Sequence, residues 1–164
     1  MVFYMCGNHN RSELRFKNIW KTDTKSEKYI EAEVKLFPLN EKREFTFLQI
    51  HADNTIKNTP VIDKTLLRIV WRKKYRNIQN HIWAVLRMDR GKYKKINLGV
   101  MSKGFFDVKI SVLNNILNIY INKEKRFQTG VAYWKKYYNY FKAGVYLQDR
   151  GCAEALFNKL QISQ

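Results

Sequence analysis

Three short segments carry side chains that bind anions and move protons: Arg11-Ser12-Glu13-Leu14-Arg15, Gln49-Ile50-His51, and Tyr140-Phe141-Lys142-Ala143-Gly144-Val145-Tyr146-Leu147-Gln148. Each reads as a β-strand, in which alternate side chains point to opposite faces. Arg11, Glu13 and Arg15 then share one face, with Ser12, Leu14 and Phe16 on the other. Gln49 and His51 flank Ile50 in the same way. Tyr140, Lys142, Gly144, Tyr146 and Gln148 line a polar face, with Phe141, Ala143, Val145 and Leu147 behind it. A solvated sheet face ordinarily carries a loose mixture of Lys, Glu, Thr and Ser. These faces carry Arg, Glu, Gln, His, Lys and Tyr instead.

Taken alone, Arg11, Glu13 and Arg15 would read as a surface charge ladder, the usual meaning of alternating signs on a strand. The company of the other two segments favours a site. His51 sits beside Gln49 and opposite Ile50, which argues for the polar face over the core. Tyr146 shares its face with Lys142 and Gln148. His9 and His81 have no comparable setting. The sequon Asn10-Arg11-Ser12 would put a glycan against the proposed site and is read as coincidence.

The three segments together resemble the alginate lyases of polysaccharide lyase family seven. That family shows an R-[ST]-E-L-R strand, then Q-[IV]-H, then Y-F-K-A-G-x-Y-x-Q, and this chain has RSELR at 11–15, QIH at 49–51 and YFKAGVYLQ at 140–148 in the same order. The short match is weak by itself; the nine-residue match and the ordered set are specific. The resemblance runs from about Arg11 to the C-terminus, and before Arg11 such lyases have several more strands.

The resemblance implies β-elimination at the 4-O-glycosidic bond of a polyuronate such as alginate. A base removes the proton at C5 and an acid protonates the departing O4. The neighbouring carboxylate must be neutralised, which calls for preorganised cationic and amide donors. Arg11 offers a bidentate fork and Gln49 an amide N–H. Tyr146 is assigned as the acid. The base is left between His51, which accepts a proton near neutral pH, and Tyr146, should cations such as Lys142 and Arg11 favour its phenolate. Arg15, Lys142 and Arg68 would grip neighbouring uronates, Glu13 would orient the two arginines of its strand, and Gln148 would contact a hydroxyl. In the family the Ile form of Q-[IV]-H accompanies guluronate-containing blocks, so Ile50 leans that way.

The elements that must position these groups are strands nearly throughout. Tyr29 to Leu36 alternates, with a turn marked by Pro38 and Asn40. Glu44 to His51, Thr65 to Trp71, His81 to Met88 and Lys94 to Leu98 follow, with a turn at Asp89-Arg90-Gly91. Phe105 to Val112 and Ile116 to Ile121 form a hairpin about Asn114-Asn115, since Asn tolerates positive φ. Val131 to Lys136 holds a helical turn, and Tyr138 to Gln148 and Ala155 to Ile162 close the chain. Strands at such spacing predict an all-β sandwich or barrel. The resemblance makes it a jelly-roll β-sandwich with a concave substrate groove, short of N-terminal strands, over a single domain 1–164.

Composition bounds the alternatives. Ten Phe, ten Tyr and four Trp suit strands. The formal charge of +17 points to a polyanionic partner, and nucleic acid, anionic membrane and acidic polysaccharide all fit it. Lys73-Lys74 and Lys94-Lys95 read as solubility surface. The motifs favour an anionic polysaccharide over nucleic acid, because the aromatics form no RNP-like signature, and no apolar run is long enough to span a bilayer. No cluster has metal-ligand spacing and no glycine-rich phosphate loop appears, so no metal or cofactor is expected, and the chain is read as a monomer. Cys6 and Cys152 are too few for a disulfide scaffold; a bridge is open, with two unpaired thiols favoured. Met1 to Asn10 has no leader-like pattern, although the resemblance implies an extracellular enzyme. The competing readings are a non-catalytic acidic-polysaccharide-binding jelly roll and a nucleic-acid-binding β-domain.

Overall fold

A computed structural model describes residues 1–163. Its strands are β1 (Val2–Gly7), β2 (Arg11–Arg15), β3 (Lys28–Leu39), β4 (Glu44–Ala52), β5 (Thr65–Tyr75), β6 (Ile78–Arg87), β7 (Tyr93–Val100), β8 (Phe106–Leu113), β9 (Ile116–Ile121), β10 (Glu124–Gly130), β11 (Asn139–Leu147) and β12 (Gly151–Ile162). They form two six-stranded sheets, a back sheet in the order β1-β12-β3-β8-β9-β10 and a site sheet in the order β2-β11-β4-β5-β6-β7. Every pairing is antiparallel. The sheets bury a shared apolar core between them, which makes the fold the sandwich of the two arrangements, sandwich or barrel, that the strand spacing predicts.

Alternation explains most of this architecture. In β3, Ile30, Ala32, Val34 and Leu36 are buried while Glu31, Glu33 and Lys35 face outward. The β8–β9 hairpin turns on Asn114 and Asn115 at φ 48° and 64°, the left-handed pair that a tight hairpin demands. The expected helical turn is a short 3₁₀ segment, Ala132–Trp134. Asn139, fully buried, accepts a bond from the Trp134 indole N–H at 2.7 Å and donates to the Tyr137 and Trp20 carbonyls. This network fixes the start of β11, the strand that carries Lys142 and Tyr146.

Four features differ from the sequence reading. Strands β1 and β10 were not foreseen; β10 has a single large apolar residue, Phe127, among charged and polar neighbours, so it lacks a readable alternation. Pro38 lies inside β3, opposite Ala153, and the turn is made by Asn40 and Glu41, both at positive φ. Cys6 and Cys152 are not free thiols: β1 pairs with β12 in a register that sets them directly opposite, and they form a disulfide.

The fourth difference lies in β4. Strict alternation through Gln49 and His51 would put Phe45 and Phe47 on the polar face. Instead Phe45, Phe47, Leu48, Ile50 and Ala52 all enter the core. The pairing with β5 slips by one between Thr46 and Leu48, so Phe47 is the extra residue of a β-bulge. The bulge resets the phase, turning both phenylalanines inward and keeping Thr46, Gln49 and His51 on one side.

Candidate active site

The site is assembled from strand register. Across β2, β11, β4 and β5, the row Arg15, Lys142, Gln49, Arg68 lies side by side. The neighbouring positions pair Arg11 with Tyr146 and Tyr140 with His51. Gly144 makes the β2–β11 approach possible. It holds φ +144°, and a Cβ there would lie 2.3 Å from the Ser12 carbonyl oxygen and 2.7 Å from Glu13 Cα. A side chain would therefore push β2, with Arg11 and Glu13, away from β11.

Arg11, Gln49, His51, Arg68 and Tyr146 line one cleft of about 260 Å³. Five of the sequence-predicted residues thus converge. The Arg11 guanidinium lies over the Tyr146 ring, 4.7 Å from its centre. A cation there stabilises negative charge on the ring and its oxygen.

His51 is held in one tautomer. Its Nδ1 lies 2.8 Å from the Ala52 carbonyl oxygen, which can only accept, so Nδ1 carries the hydrogen and Nε2 carries the lone pair. Nε2 is 3.9 Å from the Asp63 carboxylate, a largely exposed group. The imidazole stacks on Tyr140, with ring centres 5.4 Å apart. Burial lowers the His51 pKa; the hydrogen bond to the Ala52 carbonyl, next in size, opposes it, the Lys142 charge lowers it further, and the Asp63 and Glu13 charges raise it. The net lowering favours the neutral ring.

Glu13 does not orient the arginines of its own strand. Its carboxylate accepts hydrogen bonds from the Gln49 amide and the Lys142 ammonium. Glu13 and Lys142 are both almost wholly buried. Lys142 is consequently the partner of Glu13 and is not among the residues that line the cleft, and the Gln49 amide is anchored by one of its two N–H groups. Arg15 binds Asp53 at 2.9 Å and covers the Tyr140 ring at 4.0 Å, beside the cleft. Burial alone would raise the Asp53 pKa, but hydrogen bonds from the Thr55 hydroxyl and N–H, then the Arg15 charge, outweigh it and hold the carboxyl below its usual range. Burial raises the Tyr140 hydroxyl, with Arg15 opposing. Gln148 lies past the end of β11, outside the cleft lining, where its carbonyl accepts a bond from Thr46.

Several groups escaped the sequence reading. Asp63, Lys64 and Tyr93 also line the cleft. The first two come from an irregular loop, and Tyr93 from a strand three positions away in the site sheet, so no local pattern marks them. Tyr140 belongs to a recognised motif and shares the Tyr146 face; its position opposite His51 needed the β4–β11 register. Among the described residues no group of three His, Cys, Asp or Glu side chains could hold a metal ion, and no helix is long and apolar enough to cross a membrane.

A two-sheet antiparallel sandwich with an Arg, Gln, His and Tyr cleft on one sheet has the form of a polysaccharide lyase. Comparison with known proteins agrees. The family model described as alginate lyase matches residues 1–164, starting ahead of Arg11 and including β1. An alginate lyase of Photobacterium sp. (strain ATCC 43367) is 33% identical, over 98% of this chain and 68% of that protein. The solved structure of alginate lyase AlyC3 superposes with a TM-score of 0.87 at 31% identity, covering 99% of this chain and 74% of that one. The marine PL7 alginate lyase AlyA1 from Zobellia galactanivorans, at 16% identity, shares the fold with a TM-score of 0.77, over 99% of this chain and 76% of that one. This chain belongs to the alginate lyase family, and its fold is the jelly-roll sandwich of those structures.

Proposed function

We propose that the chain cleaves alginate by β-elimination, with His51 as base and Tyr146 as acid, and that residues 1–164 act as one catalytic domain. The observation that carries the reading is the convergence of Arg11, Gln49, His51 and Tyr146 on one cleft, with His51 fixed as the tautomer whose Nε2 can accept a proton.

In this reading Arg11 and the free Gln49 N–H face the uronate carboxylate and stabilise the charge that builds on it as the C5 proton leaves. His51 Nε2 takes that proton, and the C5–H electron pair delocalises into the carboxylate. As the pair returns to form the C4=C5 double bond, the C4–O4 bond breaks and O4 takes the Tyr146 proton. Asp63 lies close enough to favour the transient imidazolium, and Arg11 the transient phenolate. Arg68 and Arg15 bind neighbouring uronates. The Cys6–Cys152 disulfide fits an oxidising setting outside the cytoplasm.

Ile50 leans the preference to guluronate-containing blocks. It is fully buried, so it would act through packing beneath Gln49 and His51. A specific observation favours mannuronate as the second reading. AlyC3, 30% identical and covered over 73% of its chain, has been solved in complex with dimannuronate with a TM-score of 0.87 to this chain.

The test is ultraviolet absorbance on mixing the purified chain with alginate, polyguluronate and polymannuronate separately. Elimination produces a conjugated unsaturated uronate that absorbs, whereas hydrolysis or binding does not. A rise supports the lyase, and its order across the polymers gives the preference. A folded chain with no rise on any polymer would replace the proposal with a binding-only role.

A further inference from the structure

Beyond the cleft, the site sheet carries a second cavity of about 500 Å³, lined by Trp83, Tyr75, Arg76, Lys95, Asn97 and Tyr93 among others. Tyr93, nearly half exposed, lines both cavities and joins them. The second cavity lies over β5 to β7, and β7 stands three strand spacings, about 14 Å, from β4 and its Gln49 and His51. That is farther than one sugar ring spans.

Its lining is built for an anion attached to an apolar body. Val70, Trp83 and Val85 form an apolar cluster separate from the main core, with Tyr75 and Ile78 packed on it. Three cations converge on one ring: Lys95 at 4.4 Å, Arg72 at 4.9 Å and Arg76 at 5.6 Å from the centre of Tyr75. Among the described residues, only Arg72 of the three has a carboxylate partner, Glu44, and its Nη1 remains buried and unpaired. The Trp83 indole N–H is likewise buried without a partner. Asn97 has its carbonyl oxygen taken by the Gly99 N–H at 2.9 Å and His81 Nδ1 at 2.7 Å, which leaves its NH₂ for a ligand. Arg76 holds φ 54° at the β5–β6 turn, a conformation in which a long side chain is uncommon.

Clustered positive charge repels itself in the free protein, and a bound carboxylate relieves that repulsion. Lys94 and Lys95, read together as solubility surface, part company here: Lys94 lies over Phe127 of the back sheet and Lys95 over Tyr75. We propose that the second cavity binds a further uronate of the same polymer, remote from the reacting bond, with its carboxylate on Lys95, Arg76 and the Asn97 amide. The proposal rests on the polyuronate reading of the cleft and adds a length requirement to it.

The test is calorimetric binding of uronate dimers and hexamers to Tyr146→Phe, with and without Lys95→Ala plus Arg76→Ala. Both added positions are exposed, so the thermal midpoint should hold, which is checked alongside. The expected result is tighter binding of the hexamer than the dimer, with the double change weakening the hexamer about tenfold or more and leaving the dimer unchanged. Equal weakening at both lengths, or none, overturns the second site while the cleft reading stands. Failure of Tyr146→Phe to bind either length, with no absorbance rise from the unmodified chain, overturns both.

Discussion

Arg11 and Tyr146 face each other across the β2–β11 pair, the guanidinium lying over the phenol ring at 4.7 Å. In the proposed reaction the pairing would give Tyr146 both a proton to donate and a cation to steady what remains. Tyr146→Phe keeps the ring and the Arg11 contact and removes only the proton. Turnover should fall by about 10²- to 10⁴-fold, with oligouronate affinity nearly unchanged. Steady-state kinetics beside calorimetry check this, and retained turnover would remove Tyr146 from the acid role.

If His51 is the base, as proposed, the pH dependence follows from it. A base must be unprotonated, so kcat/KM falls as pH drops through its pKa. Burial sets that pKa below the ordinary 6.5, and the acid limb should therefore lie below that value. Asp63 favours the protonated ring, so Asp63→Asn should move the limb further to the acid side. A limb that moves toward higher pH would contradict the base assignment.

Lys142 was expected to grip substrate. Its burial against Glu13 redirects the prediction to stability. Lys142→Ala leaves a buried carboxylate without its cation and should cost about 3–5 kcal/mol, seen as a lower urea midpoint. Pairing Lys142→Met with Glu13→Gln should recover part of the loss, because the two residues act as one unit. A loss confined to KM would instead return Lys142 to the substrate.

Gly144→Ala tests the close approach of β2. The added Cβ meets backbone atoms of Ser12 and Glu13, which no rotamer change can clear. Destabilisation of at least about 1 kcal/mol should come with lost turnover, since Arg11 moves with β2. Wild-type kinetics in this variant would mean that the two strands tolerate separation.

The sandwich was legible from contiguous alternation, and Arg11, Gln49, His51 and Tyr146 from motifs that each occupy one strand; Arg68 stands outside those motifs, and the β4–β5 register sets it beside Gln49. Glu13 shows where such legibility stops. Its sequence neighbours are arginines, but its bonds go to Gln49 and Lys142, and only the order β2-β11-β4 brings these within reach. Phe47 hid a bulge, because an extra residue looks like any other apolar one until its partner strand is known. The cysteines were misread for the same reason: 146 residues separate them, and register alone sets them face to face.

That crosslink also changes the connectivity of the molecule. Cys6 and Cys152 close most of the chain into a covalent ring that contains every residue of the candidate site. A protease that cuts one exposed loop, such as the stretch from Asn54 to Lys64, opens the ring without releasing a fragment. The two halves stay tethered, and each contributes strands that the other needs for pairing. Loss of the folded chain to proteolysis then takes two cuts, or one cut and a reductant.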